Sequence, residues 1–140
     1  MGASVWDYRT PYTPDLAEAL GTLRQQVFAA NDYYWSGDDE ERPGSIDELW
    51  EDEDVQEEGT HSILDINAVI GENDRDDYGT LRLLTPTETA AVFGTPEPTA
   101  ADVAGLESPY DDRPRWSGHA AILYADGKPA EYLIWGHSGD

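Results

Sequence analysis

The run from Trp116 to Trp135 constrains the fold more than any other stretch of this chain. Two segments rich in aromatic and β-branched residues flank Asp126-Gly127, a dipeptide that supplies the positive φ angles a tight hairpin turn needs. Pro129 marks where the second strand can start. Ile122, Leu123, Leu133 and Ile134 offer apolar side chains on both faces of this ribbon, so the hairpin is expected at or near the centre of a sheet.

Elements to join it are legible upstream. Val5 to Tyr12 reads as a short edge strand ended by Pro11. Thr13-Pro14-Asp15 then opens a helix over about 14–30, with a capping hydroxyl, a proline in the first turn and a carboxylate at the positive end of the dipole. Leu16, Leu20, Leu23 and Val27 fall on one face of it, with Phe28 beside them. Thr60 to Ile66 is read as a strand because β-branched residues dominate, and Thr80 to Leu84 as the next one. Thr85 and Glu88 form a capping box for a short helix stopped by Gly94. A further short helix starts at Thr99, with Val103 and Leu106 turned inward, and a loop over 107–115 leads into the hairpin. The expected fold is α+β in a single domain spanning 1–140: an antiparallel sheet of four to five strands ending in the C-terminal hairpin, the 14–30 helix packed on a face, and shorter helices around it.

The segment 38–58 stands apart from this pattern. It holds twelve carboxylates and one arginine in 21 residues, within a chain of 140 residues whose net charge is −22. Ser45 and Glu48 form a capping box, so a helix is expected there with Ile46, Leu49 and Trp50 as its apolar stripe. Val55 falls out of phase with that stripe and predicts an end or a kink near Asp52; Gly59 closes the segment.

Charge and composition exclude several classes of function. A balance of 30 acidic to 8 basic residues repels nucleic acid and anionic membrane surfaces and attracts basic proteins. With no cysteine there is no disulfide framework, thiolate nucleophile or cysteine-ligated metal. No leader-like or membrane-spanning apolar run is present, which places the protein in the cytoplasm. Phosphate-binding loops and nucleophile elbows are missing, and the acidic loop 74–79 fails as a calcium loop because Tyr78 and Thr85 fall on ligand positions. His61, His119 and His137 lie in separate segments without helical metal-pair spacing. No cofactor or metal is expected.

These features lead to an acidic, non-enzymatic interaction protein that binds and inhibits a basic protein partner. Drawn out as one helix, the 38–58 segment would be roughly 30 Å long, with a linear charge within about a factor of two of duplex DNA. In size and acidity it resembles DNA mimics and immunity proteins. Asp38, Asp39, Glu40, Glu41, Glu51, Asp52, Glu53 and Asp54 would carry the charge, and Tyr33, Tyr34, Trp35 and Trp50 would serve as anchors. The alternative is a small α+β enzyme or ligand-binding module whose pocket holds His61, Asp65 and His119, with the acidity incidental.

Overall fold

The computed structural model describes residues 5–104 and 116–137. Its strands are β1 (Val5–Pro11), β2 (Ala68–Ile70), β3 (Thr80–Leu83), β4 (Gly118–Ala125) and β5 (Lys128–His137). Its helices are α1 (Leu16–Ala29), α2 (Ile46–Leu49), α3 (Glu53–Glu58), α4 (Pro86–Phe93) and α5 (Ala100–Ala104). The class is α+β. The strands form one five-stranded sheet in the order β1-β5-β4-β3-β2.

The hairpin of β4 and β5 sits inside this sheet, closed by a two-residue turn in which Asp126 and Gly127 have φ of 53° and 76°. Both positive angles match the turn type whose twist suits antiparallel strands. The register shifts between Leu123 and Tyr124, opposite Pro129, where a residue without an N–H can be tolerated. β1 lies at the edge, antiparallel to β5, with Trp6 opposite Gly136. That glycine is required, since a Cβ there would run into the Trp6 ring.

The sheet is mixed, not antiparallel as the sequence suggested. β3 runs parallel to β4 and β2 parallel to β3. Between β3 and β4 the chain carries α4 and α5, and a helical crossover returns the chain to the same end of the sheet, which forces the next strand to run parallel. The loops that join α5 to the hairpin, including Leu106 and the 107–115 stretch, lie outside the described residues.

The expected strand over Thr60–Ile66 is also corrected. That stretch is a turn with a single 3-10 helix at Ile63–Asp65, and the strand starts later, at Ala68. Asp65 Oδ1 accepts from Thr60 N at 2.7 Å and Thr60 Oγ1 at 2.8 Å, while Ser62 Oγ accepts from Leu64 N at 3.1 Å. Such local side-chain bonds compete with a sheet ladder, and His61, at φ 53°, is left-handed.

Alternation along the central strands divides the core in two. One face presents Ala120, Tyr132 and Ile134, packed with Leu16, Leu20, Leu23 and Val27 of α1 and with Leu49, Val55 and Ile63. The other presents Ala121, Leu123, Leu133 and Trp135 to Leu84, Phe93 and the partly buried Val103. The α1 stripe is therefore as its spacing foretold; each such side chain contributes about 1.5–3 kcal/mol on full burial. Its cap differs from expectation: Asp15, not Thr13, caps the helix, accepting from Ala17 N at 3.0 Å.

Candidate functional site

The acidic segment folds as three short pieces, a 3-10 turn at Asp39–Glu41 followed by α2 and α3. Ser45 Oγ caps α2 by accepting from Glu48 N at 3.1 Å, but the Glu48 carboxylate reaches Gly44 N at 3.0 Å, so the box is only half closed. The helix stops at Leu49. Asp52 Oδ1 then accepts from Asp54 N at 2.9 Å and Val55 N at 3.2 Å, starting α3 in a new direction. Leu49 and Val55, 0% and 4% exposed, pin both pieces to the core, and Gly59, at φ 80°, ends the segment. The phase break at Val55 thus becomes a real bend at Asp52, and no single rod forms.

Of the eight carboxylates expected to carry the charge, Asp38, Asp39, Glu40, Glu41, Glu51, Glu53 and Asp54 are exposed, while Asp52 is half-buried and engaged as a cap. Among the described residues only Asp39 has an ion pair, with Arg42 Nε at 3.0 Å; Asp54 accepts from Ser36 Oγ at 3.0 Å. The aromatic residues are less uniform. Tyr33 is built into the core, its ring stacked on Phe28 at 5.9 Å and covered by the Arg42 guanidinium at 4.8 Å. Tyr34 is 42% exposed and stacks on His61 at 4.7 Å. Trp35 and Trp50 are half-buried, their indole N–H groups donating to the carbonyls of Asp38 and Leu64, each at 3.0 Å. Tyr34 is therefore the aromatic that this face presents most openly.

His61, Asp65 and His119 occupy three different settings. His61 is stacked on Tyr34, Asp65 is bonded to Thr60, and His119 lies on the far face of the sheet beside Trp135. There it joins a cluster that sequence reasoning missed. Arg82, 7% exposed on β3, donates from Nε to Asp76 Oδ1 at 2.8 Å and from both terminal nitrogens to Glu88, at 2.7 and 3.0 Å. His119 Nε2 stands 2.9 Å from the same Asp76 oxygen and 3.2 Å from Arg82 Nη2. Arginine can only donate, so the Nε2–H that satisfies Asp76 leaves the Arg82 contact as simple proximity. Residues 82 and 119 are adjacent in register on parallel strands; that pairing is invisible in sequence, although Glu88 as a capping residue was a partial signal.

The electrostatics follow from this geometry. The bidentate Arg82 hydrogen bonds, opposed by burial, hold the Glu88 carboxyl down at about 2. Burial pushes the Asp76 carboxyl up, but the hydrogen bonds from Arg82 and His119 outweigh it and the group ends below its ordinary value. Between two carboxylates the Arg82 guanidinium is driven further up. All three groups are locked in their charged forms near neutrality, which suits a structural clamp between β3, the α4 N-terminus and the 71–79 loop and not a proton-transfer site.

Comparison with protein-family models, with curated proteins and with solved structures finds no match. The fold and site define an acidic α+β protein with a mixed sheet. Among the described residues no helix is long and apolar enough to cross a membrane, and no group of three or more His, Asp or Glu is placed to hold a metal ion.

Proposed function

We propose that this is an acidic interaction protein that binds and inhibits a basic protein partner through its 38–58 face, in the manner of a DNA mimic or an immunity protein. One observation carries the reading: eleven of the twelve carboxylates there are exposed and only Asp39 is ion-paired among the described residues, on backbone pinned by Leu49 and Val55. Concentrated like charge destabilises the compact state through self-repulsion, so a surface that leaves it unanswered supports a role in attraction. Charge of this kind steers encounter and raises association rates, and Tyr34 offers an aromatic contact beside it.

The test is capture of partners by the full chain at low salt, eluted in salt steps, against a variant carrying Glu51→Lys, Glu53→Lys and Asp54→Lys. Asp52 is left in place because it caps α3. A basic protein bound by the parent at least tenfold more tightly than by the variant, and released as screening grows, is the expected result. Equal affinity for both proteins would sink the proposal.

A further inference from the structure

A cleft of about 280 Å³ opens between α1, α2 and the loop before β3, away from the Arg82 cluster. Arg24, Ile46, Asp47, Trp50, Asn67 and Tyr78 line it, together with Asp65. Its cation is Arg24. Arg9, Arg42 and Arg82 each hold a carboxylate within hydrogen-bond distance, but the buried Nε of half-buried Arg24 has no hydrogen-bond partner. Leaving a buried donor unmet is unfavourable, more so for a charged group. Burial pushes the Arg24 pKa down, and Asp47 pulls it partly back, so the two opposite charges feel each other across the cleft lining.

The walls are part apolar and part polar, and Trp50 is held in place. The Trp50 indole is tied to the Leu64 carbonyl, and the Trp50 carbonyl accepts from Gln56 Nε2 at 2.7 Å. Tyr78, at 56% exposure an open aromatic, leans on Trp116 at 5.0 Å, and Trp116 in turn lies 6.0 Å from Trp50. Aromatic walls with a few convergent polar groups are the usual make-up of a small-molecule site.

The charges decide what class of ligand suits it. Arg24 calls for an acceptor, yet a simple anion must enter the field of a chain with net charge −22. A simple cation is welcomed by that field and by Asp47 and Asp65, but meets Arg24 in the same lining as a like charge. A neutral molecule bearing both charges meets neither objection.

We propose that this cleft binds a small zwitterion of the α-amino-acid class, its carboxylate on Arg24, its ammonium on Asp47 and an apolar or aromatic side chain against Ile46, Trp50 and Tyr78. The site is independent of the partner-binding reading, although α2 belongs to both: Asp47 and Trp50 lie between the exposed acids at 38–41 and at 51–54.

Isothermal titration calorimetry of the full chain with L-phenylalanine and L-leucine tests it, with phenethylamine and 3-phenylpropionate as analogues lacking one charge each. At least one of the two amino acids should bind with a Kd near or below about 1 mM, a net of about −4 kcal/mol. Both analogues, and both Arg24→Gln and Asp47→Asn, should weaken binding at least tenfold. Amide shifts should cluster at the cleft residues in two-dimensional NMR, and circular dichroism should be unchanged in the variants. Absence of binding by either amino acid, affinity unaltered by Arg24→Gln, or phenethylamine binding as well as phenylalanine would each overturn the inference. Lys substitutions at 51, 53 and 54 should leave amino-acid binding intact, so failure of the partner reading and failure of this one are read from different proteins.

Discussion

In the 38–58 segment carboxylates stand in solvent with one arginine among them, whereas Asp76 and Glu88 close on two edges of Arg82 deep against the sheet. The side chains are the same; the surroundings differ. Water screens the first group, so each charge there costs little singly and the sum is an outward field. In the second the Arg82 guanidinium is buried while Asp76 and Glu88 stay partly exposed, so the cation depends on both carboxylates. What the contrast teaches is that net charge alone says little about a given acid here: backbone position decides whether it is a surface feature or a structural clamp.

The sharpest way to break the contrast is Arg82→Met, which keeps the bulk and removes the cation. Removing one partner of a buried ion pair costs about 3–5 kcal/mol; the Glu88 side chain is 37% exposed and can turn to water, which favours the lower end. Urea unfolding should show the loss, and a change under about 1 kcal/mol would mean that the cluster is no clamp.

A smaller effect is expected with pH. Glu88 titrates at about 2 in the folded protein against an ordinary 4.5, and Asp76 is also depressed. Stability from such groups is present above the unfolded value and drains away as pH falls through the folded one. The parent should therefore lose stability steadily from about pH 4.5 to 2, and Glu88→Gln should lose less over that window. Parallel profiles for the two proteins would contradict the pairing.

The least change belongs to the exposed acids. Glu57 and Glu58 sit in the last turn of α3, at the negative end of its dipole, where carboxylates are unfavourable by about 0.3–1 kcal/mol before screening. Glu57→Gln with Glu58→Gln should raise the thermal midpoint slightly in low salt, and 1 M NaCl should erase the gain. Persistence of the difference in high salt would point to packing and not charge.

Much of the local structure could be read from the chain. Asp126-Gly127, the α1 stripe, the Thr85–Glu88 capping box and the bend implied by Val55 all depend on residues close in sequence, where propensity and capping act directly. Both capping-box bonds at Thr85 and Glu88 are formed, and Gly94 ends α4 in the left-handed conformation. The acidic face was equally plain, because exposed charge needs no partner to be recognised. The Thr60–Ile66 strand misled because β-branched residues suit strands only if nothing nearby claims their backbone, and Asp65 and Ser62 do so. Tyr33 was a candidate anchor by residue type; its place in the core came from the packing of Phe28 and Arg42 around it.

Sequence by itself determined the α+β class, the central hairpin, the amphipathic helix and the charge of the 38–58 segment, since each is fixed by periodicity, turn chemistry or composition over a short span. Only the tertiary structure decided that β3 runs parallel to β4, that Arg82 meets His119, Asp76 and Glu88, and that Arg24 faces a cleft with Asp47 and Trp50. Those contacts join residues far apart in the chain. Their free energy comes from burial and charge pairing that exist only after the loops have closed, so no local pattern records them.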